Sequence, residues 1–313
     1  MALSGNSNYT LDRDALIGHV YRNRLAATRS GGTPTSDEIS DATIALNLML
    51  KAWQVHGLQL WVIKEAILIP ELSKQSYSLG LTGDHCSLSM KKTEVKVAGV
   101  TSDTNLDVDS TADMTASDNI GVVLDDGTIH WTTVSSVTDS DTVVLTTGLP
   151  SATAVDNHVY NYTTKIDRPH ELAEAYRREW DTVVDVPITR LSREEYYTLS
   201  DKDSQGVPVN YYYDPQLTNS VFYNWTVADS SFAKNNAFVL LIKKPFDDMD
   251  SATDNLEFPQ EWYEAVADGL AVRIAPSIGL PIQDRRELKS EAKKSLSDAM
   301  DFDVEQTSVF FTP

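Results

Sequence analysis

Residues 206–227 read GVPVNYYYDPQLTNSVFYNWTV, residues 237–250 AFVLLIKKPFDDMD and residues 256–279 LEFPQEWYEAVADGLAVRIAPSIG. Tyr211, Tyr212, Tyr213, Val221, Phe222, Tyr223, Trp225 and Val227 are aromatic or β-branched, and Asp214-Pro215 supplies a turn between two strands. The third piece has helical character. Pro259 suits a first turn, where its missing N–H costs nothing, and Trp262, Ala265, Val266, Leu270 and Ile274 follow at helical spacing until Pro276 and Gly279 end the run.

Upstream of this stretch, residues 10–29 read as a helix with Thr10 as its cap and an apolar face of Leu11, Ala15, Ile17, Val20, Tyr21 and Leu25. Thr35 and Glu38 have capping-box spacing. The helix behind them runs to about His56, buries Ile39, Ala42, Leu46, Met49, Leu50 and Trp53, and ends at Gly57. At Leu58 the period changes: LQLWVIKEAILIP (58–70) is a strand. Residues 92–164 read as a small all-β module of sandwich or barrel type. EVKVAGV, IGVV–TIHWTTV across Asp126-Gly127, DTVVLTT and HVYNYTT are its strands. RPHELAEAYRREWDTVVDVP (168–187) is a strand or a short helix. Ser192 and Glu195 make a second capping box, and FDDMDSATDNLE (246–257) is a linker back to helices. Leu288, Ala292, Leu296 and Met300 line one face of the last helix.

Helices at both ends and strands between them give an α+β chain. The expected layout is a four-helix body (1–57 and 257–313), a central β domain (58–91 and 165–256) and the inserted all-β module (92–164).

Charge is the compositional outlier: 26 Lys+Arg against 46 Asp+Glu leave −20. Residues 92–164 carry two lysines and eleven carboxylates, nearly half of that deficit. This balance argues against a basic nucleic-acid clamp and against attachment to an anionic membrane. It fits either plain solubility or a surface past which DNA slides without sticking. The module's spaced aspartates, Asp107 and Asp109 among them, lack the order of a helix-loop-helix calcium site and read as turn residues. His19 and His56 are isolated and read as structural. The single cysteine, Cys86, rules out an internal disulfide. No apolar core of a signal peptide opens the chain, and no apolar run approaches the roughly 18 residues of a membrane span, so a soluble product made in the cytoplasm is expected. Nucleophile elbow, phosphate-binding loop, HExxH and paired-cysteine motifs are absent, and Glu194-Glu195 sits where helix starts favour acid. Neither an enzyme nor a cofactor is expected.

The order strand–strand–helix, with YYYDP (211–215), the aromatic strand and LEFPQEWYEAVADGLAVRIAP (256–276), resembles the head-to-tail adaptors of short-tailed bacteriophages. YSLG (77–80) and Gly83-Asp84 match the point where that family enters its β region. The Arg168-Pro169 step then arrives late, which places 92–164 as an insert. The resemblance implies a structural virion protein at the head–tail junction. Such a protein forms a dodecameric ring under the portal, extends the DNA channel, retains packaged double-stranded DNA without reading its sequence, and carries the tail nozzle and tail fibres or tailspikes. Val309, Phe310 and Phe311, an apolar group at the chain's end, are the expected portal contact. The alternative from the residues is a β-domain binding module for a carbohydrate or a protein, with the helices as its oligomerisation stem.

Overall fold

A computed structural model describes residues 9–26, 33–55 and 60–303. In chain order the helices are α1 (Arg13–His19), which runs into a π-helical turn (Val20–Arg24), α2 (Ser36–Trp53), α3 (Arg193–Thr198), α4 (Ser230–Asn235), α5 (Tyr263–Ile274) and α6 (Ile282–Phe302). The strands of the first half are β1 (Ile63–Leu68), β2 (Ser76–Leu79), β3 (Cys86–Ser87), β4 (Lys91–Glu94), β5 (Asn105–Asp107), β6 (Asn119–Val123), β7 (Ile129–Val137), β8 (Thr142–Leu145) and β9 (His158–Tyr162). Those of the second half are β10 (Glu171–Glu179), β11 (Val184–Pro187), β12 (Thr189–Arg190), β13 (Gln205–Gly206), β14 (Asn210–Asp214), β15 (Ser220–Trp225), β16 (Val227–Ala228) and β17 (Asn236–Lys243). The chain is α+β, with helices at both ends and a mostly β middle. It divides into two compact units, Met1–Trp61 with Phe246–Pro313, and Val62–Pro245.

The first unit is built on α5. Its buried residues include three alanines (Ala265, Ala267, Ala271) among larger Val266, Leu270 and Ile274, and it packs against α1, the π turn, α2 and α6. Gly269 makes the α2 contact possible. A Cβ there would lie 2.7 Å from the Met49 sulfur and 2.9 Å from the Trp53 ring. The α2 capping box forms as expected, with Thr35 Oγ1 accepting from the Glu38 amide and the Glu38 carboxylate accepting from the Thr35 amide.

At α1 the cap is Asp12, not Thr10: its carboxylate accepts from the Ala15 amide at 2.7 Å. Asp12 is also held extended by a bridge to Asn255, so the helix starts at Arg13. The helix is shorter than 10–29. Leu25 N–H donates to the Val20 carbonyl, a π turn, and Ala26 has φ 52°. Residues 246–257 are not a free linker. Phe246, Met249 and Leu256 are buried, Asn47 exchanges hydrogen bonds with the Met249 backbone, and Lys51 donates to the Phe246 carbonyl and pairs with Asp248. Trp61, Phe246, Phe258 and Trp262 stack into one aromatic cluster, which Trp53 extends.

In the second unit two sheets share a core. One has the order β11-β10-β17-β1-β3 and the other β12-β14-β15-β2. Leu68, Leu172, Phe238 and Leu240 of the first meet Tyr77, Tyr211, Tyr213 and Phe222 of the second. The stretch 171–179, left open as strand or helix, is the strand β10, paired on both sides. A third sheet, β4-β9-β6-β7-β8-β5, spans Lys91–Tyr162 and has its own aliphatic core. Its two outer strands meet through the Val95–Val108 bridge and the Lys96 and Asp109 amides, which closes the sheet into a barrel and removes its edges. Asp126-Gly127 turns the β6–β7 hairpin, with Gly127 at φ +84°.

Candidate functional site

Three places offer chemistry or contact surface: the barrel's carboxylates, the barrel's seam with the neighbouring sheet, and the outer surfaces of the helical unit. Several of the barrel's aspartates are committed to hydrogen bonds that hold its turns and loops. Asp125 accepts from the Ala154 amide and the Asn157 side chain, Asp126 from Thr128, Asp118 from Thr115, Asp103 from Val100 and Asp139 from Asp141 and Thr142. Backbone and hydroxyl donors hold the carboxyls of Asp126 and Asp139 below the usual range.

Among the described residues one group has metal-ligand spacing: Glu94 and His158, cross-strand partners on β4 and β9, with Asp181 from the β10–β11 turn. Lys92 already supplies the cation there, its ammonium 2.8 Å from Glu94 and 3.5 Å from Asp181. Burial and the neighbouring Lys92 charge lower the His158 pKa, which keeps the ring neutral. A metal ion would have to displace this ammonium, so the group is built as an ion-paired seam.

The seam extends into an aromatic patch. Tyr160, Tyr162, Val123, Ile129 and Trp131 of the barrel pack on Ile67, Ile69, Met90, Trp180 and Ala237. His85, just before β3, stacks on Trp131 at 3.7 Å and hydrogen-bonds the Tyr162 hydroxyl through Nδ1 at 2.6 Å. Gly121 admits the Trp131 ring, which would lie 2.5 Å from an added Cβ.

The outer surfaces of the helical unit carry the features with no role inside the fold. The α2 residues Ala42, Leu46, Met49 and Leu50 face α5 and the rest of the unit's core. On the opposite side Ile44 and Leu48 are 57% and 61% exposed, and Val55, in the turn after the helix, is 78% exposed. At about 100° per residue, Asp37, Asp41, Ile44 and Leu48 lie within roughly 60° of one another and form one ridge, acidic at its start and apolar beyond. Lys51, on the same line, is turned aside onto Asp248.

A second feature is a groove of about 390 Å³ between α1 and α5, walled by Tyr9 and Tyr263, whose rings are 6.2 Å apart. Leu11, Ala15 and Ala267 line it, with His19 and Arg22 toward one end and the Arg24–Glu264 ion pair also on its wall. The Arg22 guanidinium lies across Gly18, 3.0 Å from where a Cβ would be. Arg24, beside it, is committed to Glu264 and the buried Asp268.

Val309, Phe310 and Phe311 lie outside the described residues. In the sequence the core stripe of α2 dominates the pattern and masks the second, the exposed ridge; its signal is Ile44, Leu48 and Val55, apolar residues out of phase with the core. No helix among the described residues is long and apolar enough to cross a membrane. Neither a protein-family model nor a curated protein sequence matches the chain.

Proposed function

We propose that the chain is a structural subunit of a phage head–tail junction: an adaptor that assembles as a ring under the portal, continues the DNA channel and carries the tail. The observation that carries this reading is the helical unit. Helices from both chain ends lie in one unit, and α2 presents an exposed apolar ridge on it. A contiguous exposed apolar patch rimmed by polar residues is the kind of surface that marks a protein contact. In this reading α1, α2, α5 and α6 act as a four-helix body. The barrel, whose chain enters and leaves through the paired strands β4 and β9, is an inserted module held outward for fibres, tailspikes or a neighbour. Acidity supports the reading in a second way, because a net charge of −20 lets packaged DNA pass without adhering. Val309, Phe310 and Phe311 are proposed to dock on the portal.

The test is sedimentation of the purified chain with the portal ring from the same phage. One defined complex, carrying as many copies as the ring has subunits, is expected. Failure to co-sediment at micromolar concentrations, together with binding to a glycan array, would replace the adaptor with the carbohydrate-binding alternative.

A further inference from the structure

The ridge and the groove of the helical unit complement each other. The ridge is acidic at Asp37 and Asp41 and apolar at Ile44, Leu48 and Val55; the groove is basic at Arg22, beside His19, apolar at Ala15, Leu11 and Tyr9, and its one carboxylate, Glu264, is matched by Arg24. The spacings agree as well. Asp41 to Leu48 is seven residues, about 10 Å along α2, and Arg22 to Ala15 is also seven, a slightly shorter rise because the span runs from α1 into the π turn. We propose that the α2 ridge of one copy seats in the α1–α5 groove of a second copy. The two helices run antiparallel, with Asp41 facing Arg22 and Leu48 facing Ala15.

This commits the occupant to another molecule of the same chain, for two reasons. Basic groups are scarce on a chain with 26 basic residues against 46 acidic ones, and in this groove Arg22 adds positive charge beside an Arg24–Glu264 ion pair that is already matched. The ridge and the groove are also different surfaces, so the contact is heterologous. A heterologous contact repeats from copy to copy and closes into a ring when the rotation allows, whereas a self-complementary patch stops at a dimer. The inference rests on the ring-subunit reading and adds to it which faces meet and in which direction.

Disulfide trapping tests it on the full chain. The only native cysteine, Cys86, is buried and does not compete. Leu48→Cys and Ala15→Cys proteins, mixed at millimolar concentration under mild oxidation, are expected to form a mixed disulfide dimer, while each alone gives little. Val55→Cys with Tyr9→Cys is the second pair, and both pairs sit at exposed positions that leave the fold intact by circular dichroism. Arg22→Glu is expected to lower the trapping yield about tenfold, and Asp41→Arg on the ridge partner to restore it. Dimers formed by Leu48→Cys alone would show a two-fold α2 contact and overturn the proposal, as would absence of the mixed dimer in both pairs. A mixed dimer from a protein that ignores the portal ring would keep this contact and remove the portal; portal binding without the mixed dimer would do the reverse.

Discussion

His85 shows how one side chain ties two layers of the second unit together. It stacks on Trp131 of the barrel and bonds to Tyr162, while its own backbone leads into β3 of the neighbouring sheet. Burial raises the Tyr162 pKa, so the phenol stays protonated and can donate to the neutral imidazole. Burial, helped by the Lys165 charge, pushes His85 down to about 4. The folded value lies below the ordinary value of 6.5, so the unfolded chain takes up the proton first as pH falls. Stability from this site is therefore complete above about pH 6.5 and is lost progressively down to about pH 4. Partial solvent exposure reduces the effect to about 1–2 kcal/mol. His158 is shifted in the same direction at the same seam and adds to the acid loss. His85→Phe keeps an aromatic ring against Trp131 but removes the titration. Denaturant melts at pH 7 and pH 4.5 should show a smaller stability difference for the variant than for the wild-type chain; an equal difference would place the acid sensitivity elsewhere.

The elements fall into those that local chemistry decides and those that their neighbours decide. If residues 91–163 are deleted and Met90 joined to Thr164, the ends meet readily, since Ser87 Oγ already donates to the Thr164 carbonyl at 2.6 Å. The module's own strand signals, read as those of an insert, would make it look removable. The seam argues otherwise. The deletion bares Ile67, Ile69, Met90, Trp180 and Ala237, and each large side chain exposed there costs about 1.5–3 kcal/mol. The deleted chain should aggregate or melt several degrees lower, and polar replacements at Ile69 and Met90 should recover its solubility; a soluble deletion with an unchanged melting temperature would show that the seam contributes little. The capping boxes at Thr35 and Ser192, the Asp126-Gly127 hairpin and the YYYDP strand pair were all legible, because each depends on residues a few positions apart. The strand β10 was not. ELAEAYRRE favours a helix by composition, and only pairing with β17 on one side and β11 on the other makes it extended, with a bulge between Leu172 and Glu174. The start of α1 was misplaced for the same reason, as the extended backbone of Asp12 is fixed by Asn255, far away in sequence. The barrel's closure depends on Val95 meeting Val108, which no local pattern announces, although "sandwich or barrel" was readable from turn spacing.

For the whole molecule the governing quantity is charge. At −20 per chain, copies repel one another, so assembly needs local contacts strong enough to offset that repulsion. The ridge and groove provide one such contact; the chain's last residues are proposed to provide another, with a different partner. VEQTSVFFTP (304–313) has Val309, Phe310 and Phe311 beside otherwise mainly polar residues. Chain ends are usually polar, because an exposed aromatic pair lowers solubility and gains nothing. Burying two phenylalanine rings contributes on the order of 3–6 kcal/mol before the entropy of ordering the segment is subtracted. Two destinations compete for that gain, the chain's own helical unit and the portal, and truncation after Phe302 separates them. If the portal is the destination, the truncated chain should melt at the same temperature as the full chain, since no burial within the fold has been removed. Its affinity for the portal ring should fall at least tenfold, because even about 1.4 kcal/mol of the docking energy corresponds to that factor. Ridge-to-groove disulfide trapping should be unaffected, as Asp41, Leu48, Ala15 and Arg22 all remain. A truncated chain that melts several degrees lower while binding the portal as before would show that the phenylalanines belong to the chain's own core.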